Sequence, residues 1–203
     1  MKIEKFQTYI LRSPLREPFY SSQARFTDHN SLLVRISTYD ETVGWGEGGQ
    51  YGPPEPVASC INDVLAPRLI NSPADTPIRT FEELYAFSRD FGQKGTYVEA
   101  LSAIDIALWD IMGKSLGCPL HALLSGAFRD QIQAYGTECY YPDFFADTPK
   151  MMRALEREAQ KLKESGLQAI KIKVGLLPIE TDGQRVDLVR EICGSGFPLM
   201  IDA

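Results

Sequence analysis

The sequence predicts an α+β half followed by a parallel β/α half. Three observations carry that reading. Residues 1–50 pattern as strands separated by turn residues, residues 56–113 as amphipathic helices, and from Asp130 onward strand and helix patterns alternate. The 203 residues allow one or two domains, with the division placed between 1–127 and 128–203.

The elements follow in order. Ile3–Leu11 is a strand, and Ser31–Thr38 and Thr42–Gly48 form a hairpin through Tyr39-Asp40-Glu41, whose residues favour turns. A polar loop is expected over Ser21–Asn30, and a second over Gly48–Pro56, where glycines and prolines exclude regular structure. Pro56–Leu65 is a short helix. Thr80–Phe91 is a second, with Thr80 and Glu83 at capping-box spacing. Tyr97, Leu101, Ile104, Leu108 and Ile111 recur at helical spacing, in a helix that ends near Gly113–Gly117. Tyr97, Trp109 and Trp45 are expected in the core.

The second half begins with a strand at Ile132–Thr137. A helix follows over Pro149–Ser165, with Met152, Leu155, Ala159 and Leu162 on one face. Ala169–Val174 is a strand, Asp182–Cys193 a helix and Pro198–Asp202 a strand. This β-α-β-α-β order implies a parallel sheet with right-handed crossovers, of the doubly wound or the (β/α)₈ type. The sequence stops just after the last strand, so a fragment of a longer protein is expected.

Composition narrows the function classes. A hydrophobic fraction of 44% with 24% charged residues excludes intrinsic disorder and coiled coil. No apolar run is long enough for a transmembrane helix, and the N-terminus lacks the apolar stretch of a secretory signal, so a cytoplasmic protein is expected. A net charge of −6 without a basic patch points away from nucleic acid and anionic membranes as partners. Cys60, Cys118, Cys139 and Cys193 lack C-x-x-C spacing and read as reduced thiols, Cys139 as buried and inert. With two histidines, His29 and His121, in separate contexts, any metal would need carboxylates, as a hard ion such as Mg²⁺ does.

The most informative stretch is Ile170-Lys171-Ile172-Lys173-Val174-Gly175. Side chains alternate along a strand, so Lys171 and Lys173 share one face and the aliphatic residues the other. Two enclosed ammonium groups repel and lose solvation, which lowers a lysine pKa towards that of a general base. A strand with two solvated surface lysines would show the same pattern. Asp202 follows at the end of the next strand, where a carboxylate can hold a divalent cation or cap a following helix. A barrel-strand lysine also serves Schiff-base aldolase chemistry. A non-catalytic binding module is the third class.

Several stretches occur together and in order: Gly44-Trp45-Gly46-Glu47, the helix from Ala100 to Asp110, Pro119 to Gly126, Lys171-Ile172-Lys173, and Ile201-Asp202-Ala203. In this combination the whole chain resembles the N-terminal half of enolase-superfamily proteins of the mandelate racemase/muconate lactonizing enzyme family. The resemblance implies an α+β capping domain (1–127) that sets substrate specificity. It also implies the first part of a (β/α) TIM-type barrel (128–203), cut after the third barrel strand. It implies Mg²⁺ held by three carboxylates, Asp202 being the first and the others lying beyond Ala203. It implies that Lys173 removes the proton alpha to a substrate carboxylate, while Lys171 contacts that carboxylate and keeps the base's pKa low. Capping-domain loops would place Arg25, His29, Gln50 and Tyr51 against a small carboxylate substrate, in a homo-oligomer. The expected chemistry is a lyase or isomerase reaction through an enediolate. Dehydration of a sugar acid is preferred because the first loop is polar, with a racemase, epimerase or cycloisomerase of the same family as the alternative.

Overall fold

A computed structural model describes residues 1–49, 52–126 and 128–203. By its internal contacts the chain divides into two compact units, Met1–Ser13 with Asn30–Phe128, and Pro14–His29 with Arg129–Ala203.

Strands β1 (Ile3–Tyr20), β2 (Arg25–Thr38) and β3 (Val43–Gly48) run in the order β3-β2-β1, the first unit holding β1 up to Ser13, β2 from Asn30 and all of β3. β2 and β3 pair antiparallel from Leu32↔Gly48 to Ser37↔Val43. Helices follow: α1 (Pro54–Ser59), a π-helical turn (Cys60–Leu65), α2 (Ala66–Leu69), α3 (Pro77–Phe87), α4 (Thr96–Leu116) and α5 (Leu120–Leu123). Ile3, Leu32, Val34 and Ile36 of the sheet pack in one core with Leu101, Ile104, Leu108 and Ile111 of α4. All five residues expected on the apolar face of this helix are buried. Gly117, at φ 59°, ends the helix in the left-handed region that favours glycine.

β3 lies directly against α4. Gly44 and Gly46 face the helix, and a Cβ on either would collide with the carbonyl oxygen of Ala107 or Ala103. Asp110 accepts a hydrogen bond from the Trp45 N–H (2.9 Å), and the Lys114 ammonium donates to the Val43 carbonyl (2.8 Å). Two side chains of α4 thus satisfy backbone groups on the sheet's edge strand. Trp45 was expected in the core. The alternation that turns both glycines inward turns its ring outward, 42% exposed, with Tyr9 beside it. Trp109 is half-buried.

Other boundaries also differ from the sequence reading. The expected loop Ser21–Asn30 is mostly strand. Its residues alternate between exposed and half-buried, a period of two hidden by polar composition, and the turn shrinks to Ser21–Ala24. Helix α3 starts at Pro77 rather than at Thr80. Proline suits a first helical position, and the Thr80 N–H already bonds the Thr76 carbonyl from inside the first turn. Glu83, expected to complete a capping box, pairs with Arg79 instead.

The second unit carries β4 (Gly136–Glu138), β5 (Tyr141–Pro142), α6 (Thr148–Glu164), β6 (Ile170–Lys173), α7 (Ile179–Cys193) and β7 (Leu199–Asp202). β5 pairs with the far end of β1 at Phe19 and Tyr20. β4, β6 and β7 form a parallel sheet in chain order, as the β-α-β-α-β pattern requires. The opening strand is shorter than expected, because Ile132 lies outside it with 86% of its surface exposed. Asp147 caps α6 by accepting from the Lys150 N–H. Leu155, Ala159 and Leu162 of that helix pack with Ile170, Ile172 and Val189. Met151 is the fully buried methionine, and Met152 packs at the edge.

One polar contact crosses this packing. Glu158 on α6 accepts the Cys139 N–H (2.9 Å) just past β4. Cys139 sits at φ 57°, a conformation that strains a non-glycine residue, so the contact helps hold a costly turn. Its thiol is buried and its pKa is pushed well up by loss of solvation.

Two outcomes follow from this packing. Gly46→Ala should lower stability by about 3 kcal/mol or more, above the usual range for overpacking, because the obstruction is helix backbone. Urea denaturation followed by circular dichroism measures it. Separately, burial, reinforced by the neighbouring Glu138, pushes the Glu158 carboxyl up to about 7 from 4.5, against the opposing Cys139 N–H bond. The native state then holds this proton more tightly than the unfolded chain does. Stability from this group is fullest below pH 4.5 and falls as pH rises towards about 7. Melting temperatures at pH 5 and pH 8 should therefore differ less in Glu158→Gln than in the wild type.

Candidate active site

Register decides which side chains meet. In the parallel ladder Thr137 pairs with Lys171, Lys171 with Met200, and Lys173 with Asp202. Paired residues share a face and successive residues alternate, so Thr137, Lys171, Lys173 and Asp202 occupy one side of the sheet. Ile170 and Ile172, on the other side, are fully buried against the helices. The expected two-faced strand is present.

The two lysines converge on one carboxylate oxygen. Lys171 Nζ lies 3.0 Å and Lys173 Nζ 2.9 Å from Asp202 Oδ2, with all three side chains partly exposed. Hydrogen bonds from Lys173 and then Lys171 hold the Asp202 carboxyl below its ordinary pKa. The sequence reading had two cations depressing one another. Asp202 stands between them instead, and its hydrogen bond raises the Lys171 pKa. Tyr135 adds to this hold on the charged form, its ring centre 5.6 Å from Lys171 Nζ.

A buried polar cluster ties down the strand ends below this face. The Arg185 guanidinium on α7 is fully buried and stacks over the Tyr141 ring, 3.8 Å from its centre. It donates to the carbonyls of Lys173 and Cys139 (2.8 Å each) and to Asp182 Oδ1 (3.0 Å). The Tyr141 hydroxyl donates to the same carboxylate oxygen (2.7 Å), and Asp182 Oδ2 accepts the Gly175 N–H (2.7 Å). Loss of solvation pushes the Tyr141 phenol up to about 12, so it keeps its proton as a donor. Asp182 and Arg185 fell on the helix expected from the pattern of valines, and nothing in that pattern marked them as buried.

The expected substrate contacts divide. Arg25 Nε and Nη2 donate to Asp143 Oδ1 and Oδ2 in a two-pronged pair, each at 2.8 Å. The pair joins the start of β2 to the residue just after β5. His29 is exposed on β2. Gln50 and Tyr51 lie outside the described residues. Ser22, in the Ser21–Ala24 turn, lies beside the loop leaving β6. A Cβ on Gly175 would stand 3.4 Å from the Ser22 Cβ and 3.8 Å from Ala203. Thr137 joins the lysine face through its pairing with Lys171, which strand order alone sets, and Ser22 comes beside Gly175 only through the tertiary fold.

The donor chemistry suits a hard divalent cation, since Asp202 offers carboxylate oxygen at a strand end. Among the described residues no group of three or more His, Cys, Asp or Glu side chains could hold a metal ion. Among the same residues no helix is long and apolar enough to cross a membrane.

Comparison with known proteins places these features. Residues 5–125 match the family described as mandelate racemase / muconate lactonizing enzyme, N-terminal domain. The whole chain is 37% identical to D-galactarolactone cycloisomerase of Agrobacterium fabrum, over 52% of that protein. It is 32% identical to arabinonate dehydratase of Saccharolobus solfataricus, over 85% of the chain and 44% of the relative. Among solved structures, 3,6-anhydro-D-galactonate cycloisomerase from Zobellia galactanivorans superposes with a TM-score of 0.84 at 34% identity, covering all of this chain and 51% of the other. A racemase from Streptomyces coelicolor A3(2) with bound magnesium gives 0.87 at 28% identity, covering 99% and 55%. The chain spans about half the length of the curated relatives it matches. From its first strand to Asp202, the chain belongs to the mandelate racemase/muconate lactonizing enzyme family of the enolase superfamily.

Proposed function

We propose that this protein removes the proton alpha to the carboxylate of a sugar acid and drives its dehydration through an enediolate. The observation that carries the reading is the convergence of Lys171, Lys173 and Asp202 on one face, at the C-terminal ends of adjacent parallel strands. Such strand ends are where (β/α) barrels carry their chemistry, and the short parallel sheet is read as the start of one, with the first unit as its capping domain. Lys173 takes the proton as general base. The electron pair of the broken C–H bond moves into the substrate carboxylate, and Lys171 donates to the oxygens that gain charge. Expulsion of the hydroxyl from the adjacent carbon, with a proton from a general acid, completes the loss of water. Asp202 would hold Mg²⁺, which supplies Lewis-acid stabilisation of the developing charge when bound. The magnesium in the Streptomyces coelicolor racemase structure supports that assignment.

The relative named arabinonate dehydratase supports dehydration. A second reading, cycloisomerisation of a sugar acid or its lactone, is favoured by the 37% identity to D-galactarolactone cycloisomerase. Both begin with the same proton transfer. A Schiff-base aldolase would need no metal, and borohydride trapping with a carbonyl substrate separates it from both readings.

The test is deuterium incorporation in D₂O by the full-length protein against a panel of sugar acids and their lactones, with and without added Mg²⁺. The wild type should exchange the alpha proton in a metal-dependent manner. Lys173→Ala should lose roughly 10²–10⁴-fold of that rate, the usual contribution of a placed general base. Exchange that survives Lys173→Ala unchanged would refute the base. Asp202→Asn should weaken Mg²⁺ binding, measured by titration calorimetry, and keep the circular dichroism of the wild type. Release of water or ring rearrangement, read by mass and NMR of the product, separates the two reactions.

A further inference from the structure

We infer that Arg185 is the positioning residue for Lys173, holding the base in place through its backbone while touching neither substrate nor metal. The inference rests on the proposed role of Lys173.

The argument starts from cost. Arg185 is fully buried, and among the described residues its Nε finds no hydrogen-bond partner. A buried charge pair is often no more stabilising than apolar side chains of the same volume, so stability alone does not account for it. What an apolar residue cannot do is join two carbonyls at a fixed separation, as the planar fork of a guanidinium does. The two carbonyls here are those of Lys173, the last residue of β6, and Cys139, just past β4.

The rest of the cluster fixes the guanidinium itself. Asp182 anchors one end and Tyr141 covers its face. Asp182 also takes the Gly175 N–H, while the Tyr141 hydroxyl accepts the Leu176 N–H (3.2 Å), so the turn leaving β6 is held by the same group. Beyond Lys173 the ladder continues for one bond, from the Val174 N–H to the Asp202 carbonyl. The Lys173 backbone is therefore held from β7 on one side and by Arg185 from α7. Its side chain reaches Asp202 on the opposite face (2.9 Å), so a shift of the Cα changes the root from which Nζ must span that distance. Misplacing a reacting group by about 1 Å can cost on the order of 10²-fold in rate.

Arg190 supplies the control. It lies on the same helix and donates to the carbonyls of Gly194 and Phe197, before β7 and away from the lysine-bearing strand ends. Arg190→Met should lower the melting temperature and leave the turnover of the folded protein unchanged. Arg185→Met should lower kcat for alpha-proton exchange by on the order of 10²-fold, with KM changed less than about threefold. Arg185→Lys, which keeps a charge beside Asp182 but bridges one carbonyl at a time, should fall between. It also serves if the methionine variant does not fold.

A second readout does not depend on activity. In NMR of the ¹³C-dimethylated full-length protein, the Lys173 signal is assigned by its loss in Lys173→Arg. It should stand apart from exposed lysines in the wild type and in Arg190→Met, and move towards them in both Arg185 variants. A folded Arg185 variant with wild-type kcat, or with an unmoved Lys173 signal, overturns the inference. A wild type that exchanges no alpha proton refutes the role of Lys173 instead. The NMR signal then decides by itself whether Arg185 sets that side chain's place.

Discussion

The register between β6 and β7 is the constraint on which the site depends. Lys173 opposite Asp202 puts two ammonium groups and a carboxylate on one face, while Ile170 and Ile172 bury themselves on the other. A slip of one residue would reverse both faces at once, setting charges against the helices and aliphatic side chains at the site. The apolar packing of α6 and α7 on the sheet therefore enforces an electrostatic arrangement that would not assemble by itself. Charge placement at this site is a by-product of hydrophobic burial on the reverse side.

The same coupling explains what could be read from sequence. The parallel half was legible because its strands are short and aliphatic and its helices carry periodic apolar residues. The lysine face was legible because alternation needs no tertiary knowledge. The Ser21–Asn30 segment was misread because its period of two is written in Phe26, Asp28 and Asn30, where composition argues for a loop. The pairing of Arg25 was illegible for a different reason: its partner, Asp143, lies far away in the chain.

The electrostatics were the least legible part. Two adjacent lysines suggest mutual repulsion, and the sign of the effect on Lys171 reverses once Asp202 is placed between them. The buried cluster of Arg185, Asp182 and Tyr141 left no trace in the apolar periodicity, since charged residues on a helix ordinarily face water. Burial of a polar network is a property of three elements meeting, and no single segment encodes it.

The contact between β3 and α4 carries a consequence for sequence variation. At Gly46 the three atoms nearest a hypothetical Cβ are main-chain atoms of Ala103 and Ala107. Trimming side chains on the helix would create no room there. Second-site suppressors of a substitution at Gly46 should therefore be absent from the α4 side chains in any selection. This position can change only if the helix backbone itself moves.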